Sequence, residues 1–213
     1  MAQTHSWLNK VRTILRLVRE DRRQLWRLLR GQSFQMFVYA LPVDSVLPAI
    51  RTPTGARVKV LSEDDFAALP DDPDAPGFGR QQFERVRRYG TVCAYGVYLE
   101  DALAHVTWLL PPALEAMERP RLLCLKEGEA EITASETLPR YRGRGLYPYV
   151  IQQIIDMARD GGVRTVYAKA RRENLSSRTA LVKAGLREVG TITVITPPAM
   201  PGKALVMRRF HAP

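Results

Sequence analysis

The sequence predicts an α/β chain, and three observations carry that prediction. Residues 129–162 read EAEITASETLPRYRGRGLYPYVIQQIIDMARDGG: an alternating strand pattern, a glycine-rich turn, then a helix with one apolar face. Short strand-like runs at 34–41, 57–61, 91–99, 102–110, 163–170, 186–196 and 204–210 are separated by Pro, Gly and acidic turn signals. A second helical segment, 174–184, follows the run at 163–170. Strands and helices therefore alternate in the second half of the chain.

At 213 residues, 46% hydrophobic and 25% charged, the chain is long and apolar enough to bury a core. No apolar run reaches membrane-spanning length. The first apolar stretch is broken by arginines, so no signal peptide is expected. The organisation expected is a basic helical arm at 1–31, a strand and Pro-rich linker at 32–56, and one domain at 57–213. Cys93 and Cys124 are far apart and read as buried thiols in a reducing compartment, with a single disulfide left open. His5, His105 and His211 are scattered, and no metal site is expected.

The arm holds much of the net charge. Of the +10 overall, eight basic and two acidic residues in the first 31 leave +6 there and +4 in the remainder. Trp7, Val11, Ile14, Val18, Leu25 and Leu29 recur at near-helical spacing among the arginines. Such a helix can lie on an anionic membrane surface, bind nucleic acid, or pack on the domain or a partner subunit. Nucleic acid is disfavoured, because aromatic interleaving and nucleic-acid modules are missing.

Taken in order, 34–41 (FQMFVYAL) is a short strand and 42–56, with Pro42, Pro48, Pro53 and Gly55, a linker. Residues 57–61 alternate as a strand. Ser62 caps a helix with acids in its first turn. Residues 70–79 form an acidic, Pro-rich loop and 81–89 a basic helix. The runs 91–99 and 102–110 pair as a hairpin across Glu100 and Asp101. A short helix at 113–118 and a further strand at 121–126 precede the central segment.

That segment carries the chemistry. A glycine-rich turn that opens a helix presents free N–H groups and the positive end of the helix dipole, which suits phosphate. Arg140, Arg142 and Arg144 surround Gly143 and Gly145, and arginine binds phosphate in a planar fork. Val150, Ile151, Ile154, Ile155 and Ala158 mark one helical face, Pro148 falls in the first turn, and Gly161-Gly162 supplies the stop. The Walker phosphate-loop pattern is missing, so this is a different phosphate loop.

The stretch T-L-P-R-Y-R-G-R-G-L-Y resembles the cofactor motif of the GNAT superfamily of acyl-CoA-dependent N-acyltransferases, which typically reads V-x-P-x-Y-R-G-x-G-x-[GA] before a helix. Pro139, Tyr141, Arg142, Gly143 and Gly145 match. The shorter signature [QR]-x-x-G-x-[GA] fits in two registers, on Arg140, Gly143 and Gly145 or on Arg142, Gly145 and Tyr147. The second alone places Val150 and Ile151 where the family helix turns apolar. Tyr147 is then a bulky departure that narrows the space beside the pyrophosphate. A second match lies at 170–186, where Asn174, Ser177, Gly185 and Leu186 fall on the family pattern N-x-x-[AS]-x-x-x-[YF]-x-x-x-G-[FL]. The tyrosine of that pattern, which often protonates the departing CoA thiolate, is Leu181 here. Tyr147, Tyr149 and Tyr167 are candidates to replace it.

The resemblance implies a mixed, mostly antiparallel central sheet flanked by helices, in the order βααβββαβαββ over about residues 57–210. It implies acetyl-CoA as co-substrate, with direct attack of a primary amine of a small molecule on the thioester. Arg142, Gly143, Arg144, Gly145 and Leu146 would hold the pyrophosphate, with Tyr147 beside them in the cofactor site. Asn174 and Ser177 would reach the pantetheine arm, and amides near Thr137 and Leu138 would meet the carbonyl oxygen. Glu131 resembles the general-base glutamate of some members, with Glu136 and Glu129 behind it. The alternative is a non-catalytic acyl-CoA-binding module whose arm contacts a membrane or partner. A cytoplasmic location, peripheral to a membrane through residues 1–31, and a homodimer fit either reading.

Overall fold

The computed structural model describes residues 32–67, 84, 93–115, 120–196 and 204–211. The basic arm at 1–31, the acidic loop at 70–79 and the basic helix expected at 81–89 lie outside them, apart from Glu84. The strands are β1 (Gln32–Pro42), β2 (Ala56–Val60), β3 (Cys93–Leu99), β4 (Ala102–Leu110), β5 (Glu129–Thr137), β6 (Thr165–Arg171), β7 (Arg187–Thr196) and β8 (Leu205–Phe210). The helices are α1 (Glu63–Ala67), α2 (Pro112–Glu115), α3 (Leu146–Asp160) and α4 (Leu175–Ala184).

Among the described residues these strands form one sheet in the order β2-β3-β4-β5-β6-β1-β7-β8. Only β5 and β6 run parallel; every other neighbouring pair is antiparallel. The first strand is thus not an outlying element. β1 sits between β6 and β7, and its Val38, Tyr39, Ala40 and Leu41 are buried, as a near-continuous apolar run demands of a strand covered on both faces. A boundary at residue 57 cuts this strand from the sheet that it joins.

α3 buries Val150, Ile151, Ile154, Ile155 and Ala158 in the largest core cluster, with β1, β3, β5, β6 and α4. A second cluster gathers Phe66, Val106, Trp108 and Leu138, with the Phe66 and Trp108 rings stacked 5.2 Å apart. Two expectations are corrected. Residues 121–126 are irregular rather than a strand: Leu123 and Leu125 are buried against Val38, Ile192 and Val194, and Arg208 donates to the carbonyls of Arg121 and Leu122. Cys93 and Cys124 form no disulfide and are exposed rather than buried: one heads a strand and the other lies in that irregular segment at positive φ.

α1 is held by a reciprocal cap. The Asp65 N–H donates to Ser62 Oγ at 3.3 Å, and the Asp65 carboxylate accepts from the Ser62 N–H and from Lys59 Nζ, both at 2.7 Å. The Lys59 bond, then the Ser62 bonds, lower the Asp65 pKa from 3.8 to about 2. A carboxyl more acidic in the folded state stabilises the fold above its unfolded pKa and loses that contribution as pH falls toward the folded value. Asp65→Asn is therefore expected to lower Tm at neutral pH. The difference from wild type should shrink as pH falls from about 4 toward 2, as read by thermal melts across that window.

Candidate active site

The site begins where β5 and β6 part. Their parallel register runs only from Glu129 opposite Thr165 to Ile132 opposite Ala168, although β5 continues to Thr137 and β6 to Arg171. On its other side β5 slips against β4: Val106 faces Glu136, but Trp108 faces Thr133. Ala134, at φ 47°, lies in the extra length, so β5 bulges here. Ala134 and Ser135 have no register partner on β4 or β6.

The chain then turns. Pro139–Tyr141 is one 3₁₀ turn, and Gly143 and Gly145 take φ of 78° and 77°, a left-handed conformation that a β-carbon disfavours. Gly145 is the N-cap of α3 and has no side chain to place on the first amides of the helix. Arg142 Nε donates to Thr137 O at 3.1 Å, which ties the loop to the end of β5. The guanidiniums of Arg140 and Arg144 lie 5.0 and 5.5 Å from the Tyr141 ring centre.

Opposite stands α4. Asn174 Oδ1 accepts from the Ser177 N–H at 3.1 Å and from Ser176 Oγ at 3.0 Å, the N-cap expected from sequence. A cleft of about 760 Å³ runs between these elements. Ser135, Glu136, Thr137, the 141–148 loop and the α4 face from Asn174 to Lys183 line it. The two motifs thus meet in one cavity.

Tyr147 sits at its inner end. The phenol is within hydrogen-bonding reach of Ser135 on β5 and Ser177 on α4. Burial raises its pKa above the ordinary 10, the two serine bonds oppose that shift, and the Glu131 charge adds to it. Its ring stacks on His105 with centres 5.4 Å apart. His105 is 1% exposed, its Nδ1 lies 2.7 Å from Thr137 Oγ1, and burial lowers its pKa to about 3, so the ring is neutral at physiological pH. The three tyrosine candidates now separate. Tyr149 packs against the core and the Tyr167 hydroxyl faces Glu129 at 3.4 Å, whereas Tyr147 lines the cleft. Leu181 is fully buried in the core.

The expected site residues divide. Glu136, Thr137, Arg142, Gly143, Arg144, Gly145, Leu146, Tyr147, Asn174 and Ser177 all line the cleft. Glu131 and Leu138 do not. Glu131 is 1% exposed and its two carboxylate oxygens lie 2.6 and 2.8 Å from Lys169 Nζ. Leu138 is a core residue whose N–H donates to Ala104 O at 3.0 Å, so the sheet consumes that amide. Among the cleft residues that sequence reasoning missed is His105. Its signal was the polar pair His105 and Thr107 within an otherwise apolar strand.

The Acetyltransferase (GNAT) family matches residues 59–185. Among solved structures, a GCN5-related N-acetyltransferase from Sphaerobacter thermophilus is 14% identical, with TM-score 0.54 over 88% of this chain and 55% of its own. A GNAT-family acetyltransferase from Colwellia psychrerythraea is 13% identical, with TM-score 0.53 over 78% and 57%. A protein from Drosophila is 15% identical, with TM-score 0.54 over 81% and 52%. At such identities the likeness is one of fold, and this chain spans little more than half the length of each. No curated protein sequence matches the chain. The family match covers more than half of the residues, over the strands, the loop and the α4 cap that build the cleft, and the chain belongs to the GNAT family of acetyltransferases.

Proposed function

We propose that this chain transfers an acetyl group from acetyl-CoA to a primary amine of a small molecule. The observation that carries the proposal is that the Gly143–Gly145 loop and the Asn174 cap face each other across one cleft. The residues present fit the co-substrate. Uncapped helix amides and arginines suit a pyrophosphate. Asn174 and Ser177 offer polar groups along the cleft, and the buried phenol of Tyr147 lines it beside Ser135 and Ser177.

The thioester supplies the acyl group; the chain supplies positioning and proton handling. An amine attacks only when neutral, so a base must take its proton. Glu136 is the carboxylate that lines the cleft, and the proposal assigns it that task. The bulge backbone at Ala134 and Ser135, outside both strand registers, takes over the carbonyl-binding role first expected of Thr137 and Leu138.

Tyr147 is assigned to the departing sulfur. An alkyl thiol is more acidic than a phenol whose pKa burial has raised above its ordinary value. Outright transfer of the phenolic proton to a thiolate is then uphill, so Tyr147 acts by donating a hydrogen bond and the sulfur is protonated from solvent. Tyr147→Phe is expected to lower kcat about tenfold, the worth of one hydrogen bond to a charged group, with a smaller change in acetyl-CoA affinity. Because burial keeps the phenol protonated, wild-type turnover should not fall through the ordinary tyrosine pKa near pH 10. Unchanged kcat in the phenylalanine variant would remove Tyr147 from the chemistry. Thiol release measured against a panel of small primary amines tests the acceptor class: acceleration by at least one is expected. Acceleration only by polypeptide N-termini would overturn it.

A further inference from the structure

We infer that the segment joining β1 to β2 reads the 3′-phosphate at the adenosine end of the cofactor, through Arg51 acting with Lys183. This rests on the acetyl-CoA reading above and extends it to chain outside the matched region 59–185. A second groove, of about 670 Å³, adjoins the cleft and shares Gly143, Arg144, Gly145, Pro148 and Lys183 with it. The two therefore form one path, with the phosphate loop in the middle. One end carries the hydroxyls of Ser135, Thr137, Tyr147 and Ser177. The outer end is walled by Ala49, Ile50, Arg51, Pro53, Thr54 and Leu99.

The outer end carries three cations from three elements: Arg51 from the joining segment, Arg144 from the loop and Lys183 from α4. Among the described residues none of the three forms an ion pair with a carboxylate. Like charges facing one groove repel, and a dianion among them relieves that cost. Ile50, Pro53 and Leu99 add apolar surface suited to a purine face. A ligand with a diphosphate at its centre, a purine and a further phosphate monoester beyond it matches this order of features.

The joining segment is held in place before any ligand arrives. Gln152 Nε2 donates to Pro48 O at 2.9 Å, and the Arg159 guanidinium donates to Val43 O. Pro48 packs so closely on Gly185 that a β-carbon there would come within 2.8 Å of its ring. Arg51 thus extends from an anchored strap, which lowers the ordering cost of using it.

Calorimetric titration of CoA and of 3′-dephospho-CoA into the full chain tests this directly. Wild type should bind CoA about tenfold more tightly, as one charge-assisted contact set provides. Arg51→Ala and Lys183→Ala should each weaken CoA and narrow that ratio to within about threefold, leaving 3′-dephospho-CoA nearly unchanged. Equal affinities in wild type, or a ratio untouched in both variants, would overturn the inference. Failure of wild type to bind either ligand would instead overturn the cofactor reading beneath it.

Discussion

Lys169→Met is expected to destabilise the protein by about 3–5 kcal/mol, the cost of removing one partner from a buried ion pair. Glu131 is 1% exposed and the Lys169 side chain 8%, and the two meet at 2.6 and 2.8 Å. The pair joins β5 to β6 just where their register ends, so it holds the throat of the cleft as well as the sheet. The variant leaves a buried carboxylate without its cation. Glu131→Leu combined with Lys169→Met removes both charges and should recover most of the loss, because apolar side chains of similar size replace a buried pair at little cost. Urea denaturation of the three proteins reads this directly. Retained turnover in the double variant would also separate Glu131 from proton transfer. A loss below about 1 kcal/mol in the single variant would place the pair in effectively solvated surroundings.

Glu136→Gln is expected to lower kcat about 10²- to 10³-fold, the usual worth of a positioned base, with acetyl-CoA affinity close to that of wild type. The pH profile carries the diagnosis. Without a base, only the amine already neutral in solution reacts, so the variant rate should rise about tenfold per pH unit up to an amine pKa near 10. A variant with wild-type kcat would move the base elsewhere in the cleft.

Much of this was legible in the sequence. The strand, loop and helix at 129–162 appear where the period-two and period-3.6 patterns place them, and Asn174 caps α4 through its own side chain. The choice between Glu131 and Glu136 was not legible, and one residue explains why. Strict alternation puts Glu131 and Glu136 on opposite faces of β5. The left-handed turn of Ala134 breaks that alternation, so Ser135, Glu136 and Thr137 all line the cleft. No glycine marks the bulge, and an alanine at φ 47° leaves no trace in a hydropathy pattern. The same break places Leu138 in the sheet rather than at the acyl group.

Register hid His105 as well. It faces Thr137 across β4 and β5, a pairing that local sequence does not encode. β1 could have been placed better. FQMFVYAL is apolar on both parities rather than alternating, which is the mark of a strand buried on both faces, and the structure puts it inside the sheet. The Pro-rich stretch after it read as a linker because its anchors, Gln152 and Gly185, lie more than a hundred residues away.

The most direct test of the central claim is calorimetric titration of acetyl-CoA into the wild-type chain, followed in the same sample by thiol release. The cleft as described predicts micromolar binding, a Kd of about 1–10 μM, and slow thiol release that a suitable amine accelerates. Undetectable binding would mean that Tyr147, set beside Ser135 and Ser177, closes the path to the thioester. Tight binding with no thiol release under any amine would contradict the catalytic reading and leave a protein that holds acyl-CoA without turning it over.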